Sequence, residues 1–492
     1  MKEAHVEKSM RVNVEGTTQF RVLSKHQVEE IVSSAMEILE RVGVQVNDEA
    51  PVKMLEERGA RIEGKTLVRI PSSLVQAALQ SAPSRIVLAN RDGERNLVLE
   101  KNRIYFGTGS DCPNVIDPYT DALRPCLFDD VLRVSKVVDA LDHIDFFMSL
   151  GLVSDVPRMT YDRHQFLAMA ANTTKPLIIT CVDGTGLSDQ YQMACLIVGG
   201  EEKFQANPYF AVYAEPSSPL MHSKEALEKL TFAAERRIPL IYTPCPSAGA
   251  TAPVTMAGIL SQGLAETFSG LVISQLKREG APFIMGGVHT VLDMRTATYS
   301  YGAPELSLLS ACMTDISKTL NLPMFSTGGC SDAKVLDEQA ASEAAVSLLT
   351  AGLSGANLIH DIGFLESGLL GSLDMLVLCD EVISMVKRIL RGIRVTGDTL
   401  AVDVVAKVGP GGHFIGEDHT RRYLKAEHWL PRLMDRTNRE AWERGEAKTL
   451  SRRVRERVID ILEHHDPPPL EKRLLSELEM VVAQADERYG VK

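Results

Sequence analysis

Between residues 103 and 391 the chain repeats one pattern eight times: a short apolar run, then a longer stretch with apolar positions at helical spacing. The runs are RIYFGTG (103–109), IDFFMSLG (144–151), PLIITC (176–181), YFAVYAEP (209–216), PLIYTPCP (239–246), PFIMGGV (282–288), PMFSTGG (323–329) and ANLIHDIG (356–363). Their continuous apolar character is that of strands buried on both faces. The amphipathic stretches fall near 128–142, 162–173, 186–200, 223–236, 256–279, 304–320, 337–354 and 372–391. In the last, Leu376, Cys379, Ile383, Val386 and Leu390 share one face and Gly392 lies just beyond it. Eight alternating strand–helix units predict an α/β protein built on a (β/α)8 TIM-type barrel spanning 101–394. A doubly wound open sheet accommodates the same alternation, and the count of eight favours the closed barrel.

The flanks follow other patterns. Ser24 and Gln27 form a capping-box start, with Val28, Ile31, Val32, Ala35, Ile38, Leu39 and Val42 at helical spacing and Gly43 as the stop. A second short helix is predicted from Asp48 to Arg58, a hairpin around Gly64, and a third helix after Pro71. Residues 1–100 therefore form an expected N-terminal α+β cap. After 395 strands vanish, Arg, Lys and Glu rise, and Pro467–Pro469 break a polar helical tail. Residues 395–492 are the expected C-terminal helical extension, packed outside the barrel with interface surface besides.

Composition narrows the function classes. Of 492 residues, 45% are hydrophobic and 24% charged, a globular profile with a large core. The formal net charge of -12 argues against nucleic acid as the main partner. None of the eight cysteines forms a CxxC pair, which fits a reducing cytoplasm and small buried side chains. MKEAHVEKSMRVNVEG has no apolar core, and no run of about 18 apolar residues exists, so neither secretion nor membrane insertion is expected.

Barrel chemistry gathers where the strands end. Those ends bring FGTGSDCPN, Tyr213 with Glu215, Tyr242 and the loop PCPSAGATAP, Gly286 to His289, Ser326 to Lys334, and His360, Asp361 and Phe364. Glycine and small residues let backbone approach something wide and flat. The aromatics Tyr105, Phe106, Tyr213, Tyr242, Phe325 and Phe364 concentrate there although only 5% of the chain is aromatic. Rings with a carboxylate hold a quaternary ammonium by cation–π attraction. For any one ring, barrel core is the default place. Glu215 and His360 are the candidate catalytic groups, with His289 as a further binding residue. Either histidine is equally at home as a packed strand side chain. A metal set of Glu215, His289 and His360 cannot be recognised from spacing, and no metal site is assigned. FGTGSD lacks the third glycine of a dinucleotide fingerprint. Lys334 is the residue a Schiff-base aldolase would use, but a solvated loop lysine is the simpler reading.

Five stretches together resemble the trimethylamine methyltransferase family of corrinoid-dependent enzymes. They are LERVGVQVNDEA (39–50), YFGTGSDCPNVID (105–117), TPCPSAGATAPVT (243–255), FSTGGCSDAKVLDEQA (325–340) and GPGGHFIGEDHTRRYLKAEHWLPRL (409–433). The resemblance covers nearly the whole chain. It implies a barrel, a methylated amine substrate and a separate corrinoid-binding protein that supplies cobalamin, with none tightly bound by this chain. It implies that Gly107, Gly109, Ser110, Asp111, Gly328, Gly329, Ser331 and Asp332 face that corrinoid. Archaeal trimethylamine enzymes carry pyrrolysine in the loop after strand 7; the corresponding loop here reads SDAKVLDEQ, with ordinary Val335 at or next to that position. The closer resemblance is therefore to non-pyrrolysine members acting on glycine betaine and similar compounds. Methyl transfer from glycine betaine to Co(I), leaving dimethylglycine, is the expected reaction. A non-catalytic amine-binding protein of the same fold is the alternative. A homo-oligomer is the default expectation.

Overall fold

The structure is a computed structural model that describes residues 19–490. Seven parallel strands hydrogen-bond in the order 105–108, 358–362, 324–327, 283–286, 240–242, 210–214 and 177–179. Residues 146–147 bridge the two ends, Phe146 to Gly107 and Phe147 to Leu177. The sheet is therefore a closed eight-stranded α/β barrel, its strands at the eight runs marked by the hydrophobic pattern. We number them 1 to 8 in chain order, with 146–147 as strand 2.

The eight barrel helices are Phe128–Ala140, Tyr161–Asn172, Gly184–Val198, Lys224–Arg236, Met256–Lys277, Pro304–Thr319, Glu338–Ser354 and Leu373–Leu390. Asp183, Ser223, Asp337 and Ser372 start four of them by accepting a backbone N–H of the first turn. Met256–Lys277 is long and apolar enough to cross a membrane, against the expectation that no such segment exists. Burial accounts for its composition: it packs on the barrel inside and on the helices Lys25–Arg41 and Ser72–Ser81 outside.

The hairpin Ile86–Ala89/Arg95–Leu99 was not marked by the sequence pattern. Its Ile86, Leu88, Leu97 and Leu99 join Tyr105, Phe146, Ile178, Ile241, Ile284, Phe325 and Leu358 in one buried cluster. The hairpin thus plugs the N-terminal end of the barrel. Its alternating side chains supply the apolar floor that a closed sheet of this width leaves open.

Short sheets decorate the opposite end. Asn114–Ile116 pairs with Leu123–Pro125 and with Leu370–Gly371, and Thr290–Asp293 pairs with Ser247–Ala248 and with Thr298–Tyr299. Of the C-terminal helices, Leu450–His464 packs on Phe128–Ala140 and Leu373–Leu390, and Lys472–Arg488 on Tyr161–Asn172 and Gly184–Val198. Residues 391–453, by contrast, contain no buried residue.

The plug carries a test. Leu88 is fully buried. Leu88→Ala is expected to lower unfolding stability by about 2–5 kcal/mol, because the barrel floor cannot collapse around the void. Urea denaturation of the two proteins measures it.

Candidate active site

Strand 8 departs from regular pairing at the point where it closes the barrel. Ile359 pairs with Phe106 and Ile362 with Thr108, so strand 8 carries one extra residue. Such a bulge re-aims side chains. Here it places His360 and Asp361 together, where strict alternation would send them to opposite faces. Asp361 takes a left-handed conformation, φ +71°. A left-handed backbone at a residue other than glycine is a strained feature that clusters at functional sites.

Around this bulge the structure assembles a cup. The His360 ring lies 4.0 Å from Phe325 and 6.4 Å from Tyr213, centroid to centroid. The Tyr213 hydroxyl donates to Glu215 at 2.9 Å, and Cys245 Sγ donates to the same carboxylate at 3.4 Å. Phe364 meets Tyr301 edge-on at 6.1 Å, and Tyr301 meets Tyr299 at 5.6 Å. Asp111 accepts from Ser110 at 2.7 Å and from Thr180 at 3.4 Å. Among the described residues, Asp111, Glu215 and Asp361 make no ion pair with Lys or Arg.

Asp361 is buried and Asp111 half-buried, whereas Glu215 is exposed. Burial pushes Asp361 well above the ordinary carboxylate range. Burial also raises Asp111, and the charge of Glu215 adds to it, while Lys229 opposes. Burial lowers His360 to about 3. Its Nδ1 lies 2.8 Å from the Ser326 carbonyl, so we infer that this nitrogen carries the proton. Nε2 then faces Asp361 Oδ1 at 3.1 Å as an acceptor, and the neutral carboxyl donates to it. The other Asp361 oxygen and Thr243 Oγ1 are buried without a hydrogen bond of good geometry.

The cup unites Glu215, Tyr213, Phe325, Phe364, His360 and Asp111 from the sequence candidates. Other candidates face elsewhere. Tyr105 belongs to the floor, its hydroxyl accepting from Val98 N–H at 3.0 Å. Phe106 points outward, with the Lys387 ammonium 5.6 Å from its ring centre. Tyr242 also points outward, 2.6 Å from His222 Nδ1 and packed on Gly270. His289 is buried against Gly263 of the helix Met256–Lys277, so Glu215, His289 and His360 do not converge. For Tyr105, Phe106 and Tyr242 the cause is strand alternation, each sitting one residue out of phase with the cup or one layer below it, whereas His289 lies beyond the end of strand 6, just before Thr290.

The glycine-rich ends are not an open backbone platform either. A Cβ on Gly107 would lie 2.3 Å from the Phe146 ring, and one on Gly109 2.2 Å from Phe364 and 2.7 Å from Asp361. Both exist to admit the protein's own side chains. Gly328 and Gly329 pack against Ile359 and Ile362. Ser331 donates to Glu343 at 2.5 Å. Asp332 accepts from Tyr301 N–H and Ser367 Oγ, each at 2.7 Å, and from Ser300. Those two residues fasten the mouth loops together. Lys334 is exposed and donates to the Asp332 carbonyl at 2.7 Å, which leaves no dry amine for an aldolase. Val335 is 57% exposed.

Sequence reasoning missed Tyr299 and Tyr301, and it named Asp361 only as a neighbour of His360. The segment TYSYG (298–302) carried a signal, two tyrosines flanking a serine after a turn-rich stretch. Its return over the mouth needed the hairpin pairing of Leu292 with Tyr299.

A family model described as trimethylamine methyltransferase (MTTB) matches residues 1–490. The trimethylamine methyltransferase MttB of Desulfitobacterium hafniense (strain DSM 10664 / DCB-2) is 34% identical, over 94% of this chain and 93% of that protein. MttB of Methanosarcina barkeri (strain Fusaro / DSM 804) is 33% identical over 93% of each. The glycine betaine methyltransferase of Desulfitobacterium hafniense (strain Y51) is 28% identical, over 96% of this chain and 98% of that protein. Among solved structures, the Methanosarcina barkeri monomethylamine methyltransferase (MtmB) matches with a TM-score of 0.50 at 13% identity, over 90% of this chain and 88% of that one. That likeness concerns the fold.

The buried histidine makes a pH prediction. Its folded pKa, about 3, lies below the ordinary value near 6.5. Between those values the unfolded chain binds a proton that the folded chain refuses, so stability falls as pH drops. His360→Gln removes that linkage. Between about pH 6.5 and about pH 4, urea stability should fall less steeply in the variant than in the parent. Parallel slopes would contradict the buried neutral imidazole.

Proposed function

The chain belongs to the trimethylamine methyltransferase family, and we propose that it takes a methyl group from a quaternary amine, glycine betaine in the first instance. In this reading the acceptor is the Co(I) of a separate corrinoid protein, and the product is a tertiary amine such as dimethylglycine. One observation carries the proposal. The barrel mouth is an acidic, ring-lined cup whose carboxyls Asp111, Glu215 and Asp361 have no Lys or Arg partner among the described residues. A permanent cation without N–H donors is the ligand such a cup attracts.

The absence of pyrrolysine supports a quaternary rather than a tertiary amine. A quaternary nitrogen carries its charge already and departs with the C–N electron pair as a neutral amine. No proton and no covalent activation are required, which matches a site whose histidine is neutral and locked between Ser326 and Asp361. The reduced corrinoid of the partner supplies the nucleophile that receives the methyl group.

The chain's own residues have three tasks. The rings of Tyr213, Phe325, Tyr301 and Phe364 hold the ammonium without hydrogen bonds. The carboxyl groups of Asp111 and Asp361, shifted toward their neutral forms, line the cup with acceptor oxygens that face the cation without full charge. Glu215, exposed at the rim, marks the side on which the cup is reachable from solvent. Because positive charge leaves nitrogen as the methyl departs, tight binding of the ammonium would oppose the reaction. A largely neutral cup suits that need better than three ionised carboxylates, and the upward shifts of Asp361 and Asp111 act in that direction. His360 is in this reading a positioning residue for Asp361 rather than a group that touches the substrate. The Tyr301 phenol is the donor we assign to the carboxylate of the substrate.

Cobalt spectra test the reading. With a reduced corrinoid partner present, glycine betaine is expected to give methyl-cobalt and trimethylamine is not. Failure with glycine betaine, proline betaine, carnitine and butyrobetaine alike would overturn it. Tyr301→Leu is expected to lower kcat/KM by roughly 2- to 30-fold, the loss of a cation–π contact of about 0.5–2 kcal/mol.

A further inference from the structure

A lysine stands beside the cup on a helix face that is otherwise apolar. The helix Lys224–Arg236 follows strand 4 and buries Ala226, Leu227, Leu230, Ala233 and Ala234. Lys229 sits three residues after Ala226 and four before Ala233, so it shares that side. Lysines avoid such positions, because the ammonium is costly to take out of water. Lys224 on the same helix shows the ordinary arrangement, exposed and paired with Glu228 at 3.7 Å. Lys229 is half-buried instead, and its ammonium donates to the Cys181 carbonyl at 3.2 Å. Cys181 ends the run of strand 3, one residue beyond Thr180, whose hydroxyl donates to Asp111 at 3.4 Å.

An ammonium has three N–H donors, and the Cys181 carbonyl takes one. Among the described residues Lys229 makes no ion pair, although Glu225 stands one turn before it on the solvent side. Its charge reaches the cup, where it opposes the upward shift of Asp111. A zwitterionic amine brings a matching demand. Its carboxylate is repelled by Glu215, and a carboxylate taken out of water is costly unless it is paired. Two spare donors on a fixed ammonium at the end of strand 3 meet that demand.

We propose that Lys229 is a specificity-determining residue, its ammonium anchoring the carboxylate of the quaternary amine while the rings hold the trimethylammonium end. The proposal rests on the quaternary-amine reading above and deepens it, since it selects carboxylated amines over those that carry no anion. Lys229 supplies the counter-charge that a neutral phenol such as Tyr301 lacks. The anchor also reconciles two needs of the reaction. Binding energy drawn from the carboxylate orients the N–CH3 bond without tightening the grip on the ammonium, which has to lose its charge as the methyl departs. An anchor on the wall of strands 3 and 4 leaves the mouth above the cup to the methyl acceptor.

Titration calorimetry of the full chain tests it, with no corrinoid protein present. The probes are glycine betaine, proline betaine, carnitine and butyrobetaine, with tetramethylammonium as the carboxylate-free control. Lys229→Met is expected to weaken the best-bound carboxylated amine by about 10- to 100-fold, the loss of a charge-assisted hydrogen bond. Tetramethylammonium is expected to bind the variant no more weakly than the parent, because the charge removed is of its own sign. Lys229→Arg is expected to recover part of the lost affinity. In the unaltered protein the carboxylated amine, and not tetramethylammonium, is expected to shield Lys229 from acetylation by acetic anhydride, read by peptide mass. An unchanged affinity in Lys229→Met, an equal loss for both kinds of ligand, or acetylation that neither slows would overturn the anchor. So would a parent that binds tetramethylammonium but no carboxylated amine, an outcome that leaves the quaternary-amine reading standing. A parent that binds no member of the panel defeats that reading as well. The acetylation decides the matter even if Lys229→Met fails to fold.

Discussion

A parallel sheet of eight strands must join its last strand to its first, and in this protein the join is made with one residue to spare. Strand 8 accommodates it as a bulge at His360–Asp361. The extra residue turns a carboxyl and an imidazole into the same buried space. Neither has a Lys or Arg counter-charge among the described residues, so burial disfavours the charged form of each; the two meet at 3.1 Å, and His360 Nδ1 is held by the Ser326 carbonyl. Gly109 is required opposite, because any side chain would occupy the volume of Asp361 and Phe364. The bulge, the missing Cβ and the neutral pair are thus one device. Strand closure creates the site, and the site's electrostatics follow from how little water the closure admits.

The floor and the mouth divide the barrel's interior by polarity. Below, the Ile86–Leu99 hairpin and the rings of Tyr105 and Phe146 exclude water and set a rigid base. Above, Thr180, Tyr213, Cys245 and the three carboxyls form a polar cluster near the linked rings of Tyr299, Tyr301 and Phe364. Asp332 binds the loops that carry those rings. These hydrogen bonds add to core packing, since Phe364 is part of the main buried cluster and Tyr301 packs against it.

Much of the architecture was legible in the chain. The apolar runs and amphipathic stretches gave the eight units and their order, because a strand buried on both faces and a helix buried on one leave distinct periodicities. The Ser24–Gln27 capping box and the Asp48 cap located the first two helices. The strand ends also named Glu215, Tyr213, Phe325, Phe364, His360 and Asp111. The same reasoning admitted Tyr105, Phe106, Tyr242 and His289, since it found strand ends without phase. Only the register of neighbouring strands tells which of two adjacent side chains faces inward.

By itself, then, the sequence determined the barrel, its helices and the family, all of which rest on local periodicity or on stretches of contiguous residues. Tertiary structure alone decided the membership of the cup, the neutrality of His360 and Asp361, and the plugging hairpin. Each of these depends on a distance between residues far apart in the chain: Gly109 to Asp361, Tyr301 to Phe364, Leu88 to the barrel floor. Burial and pairing are properties of such distances, and no local pattern encodes them.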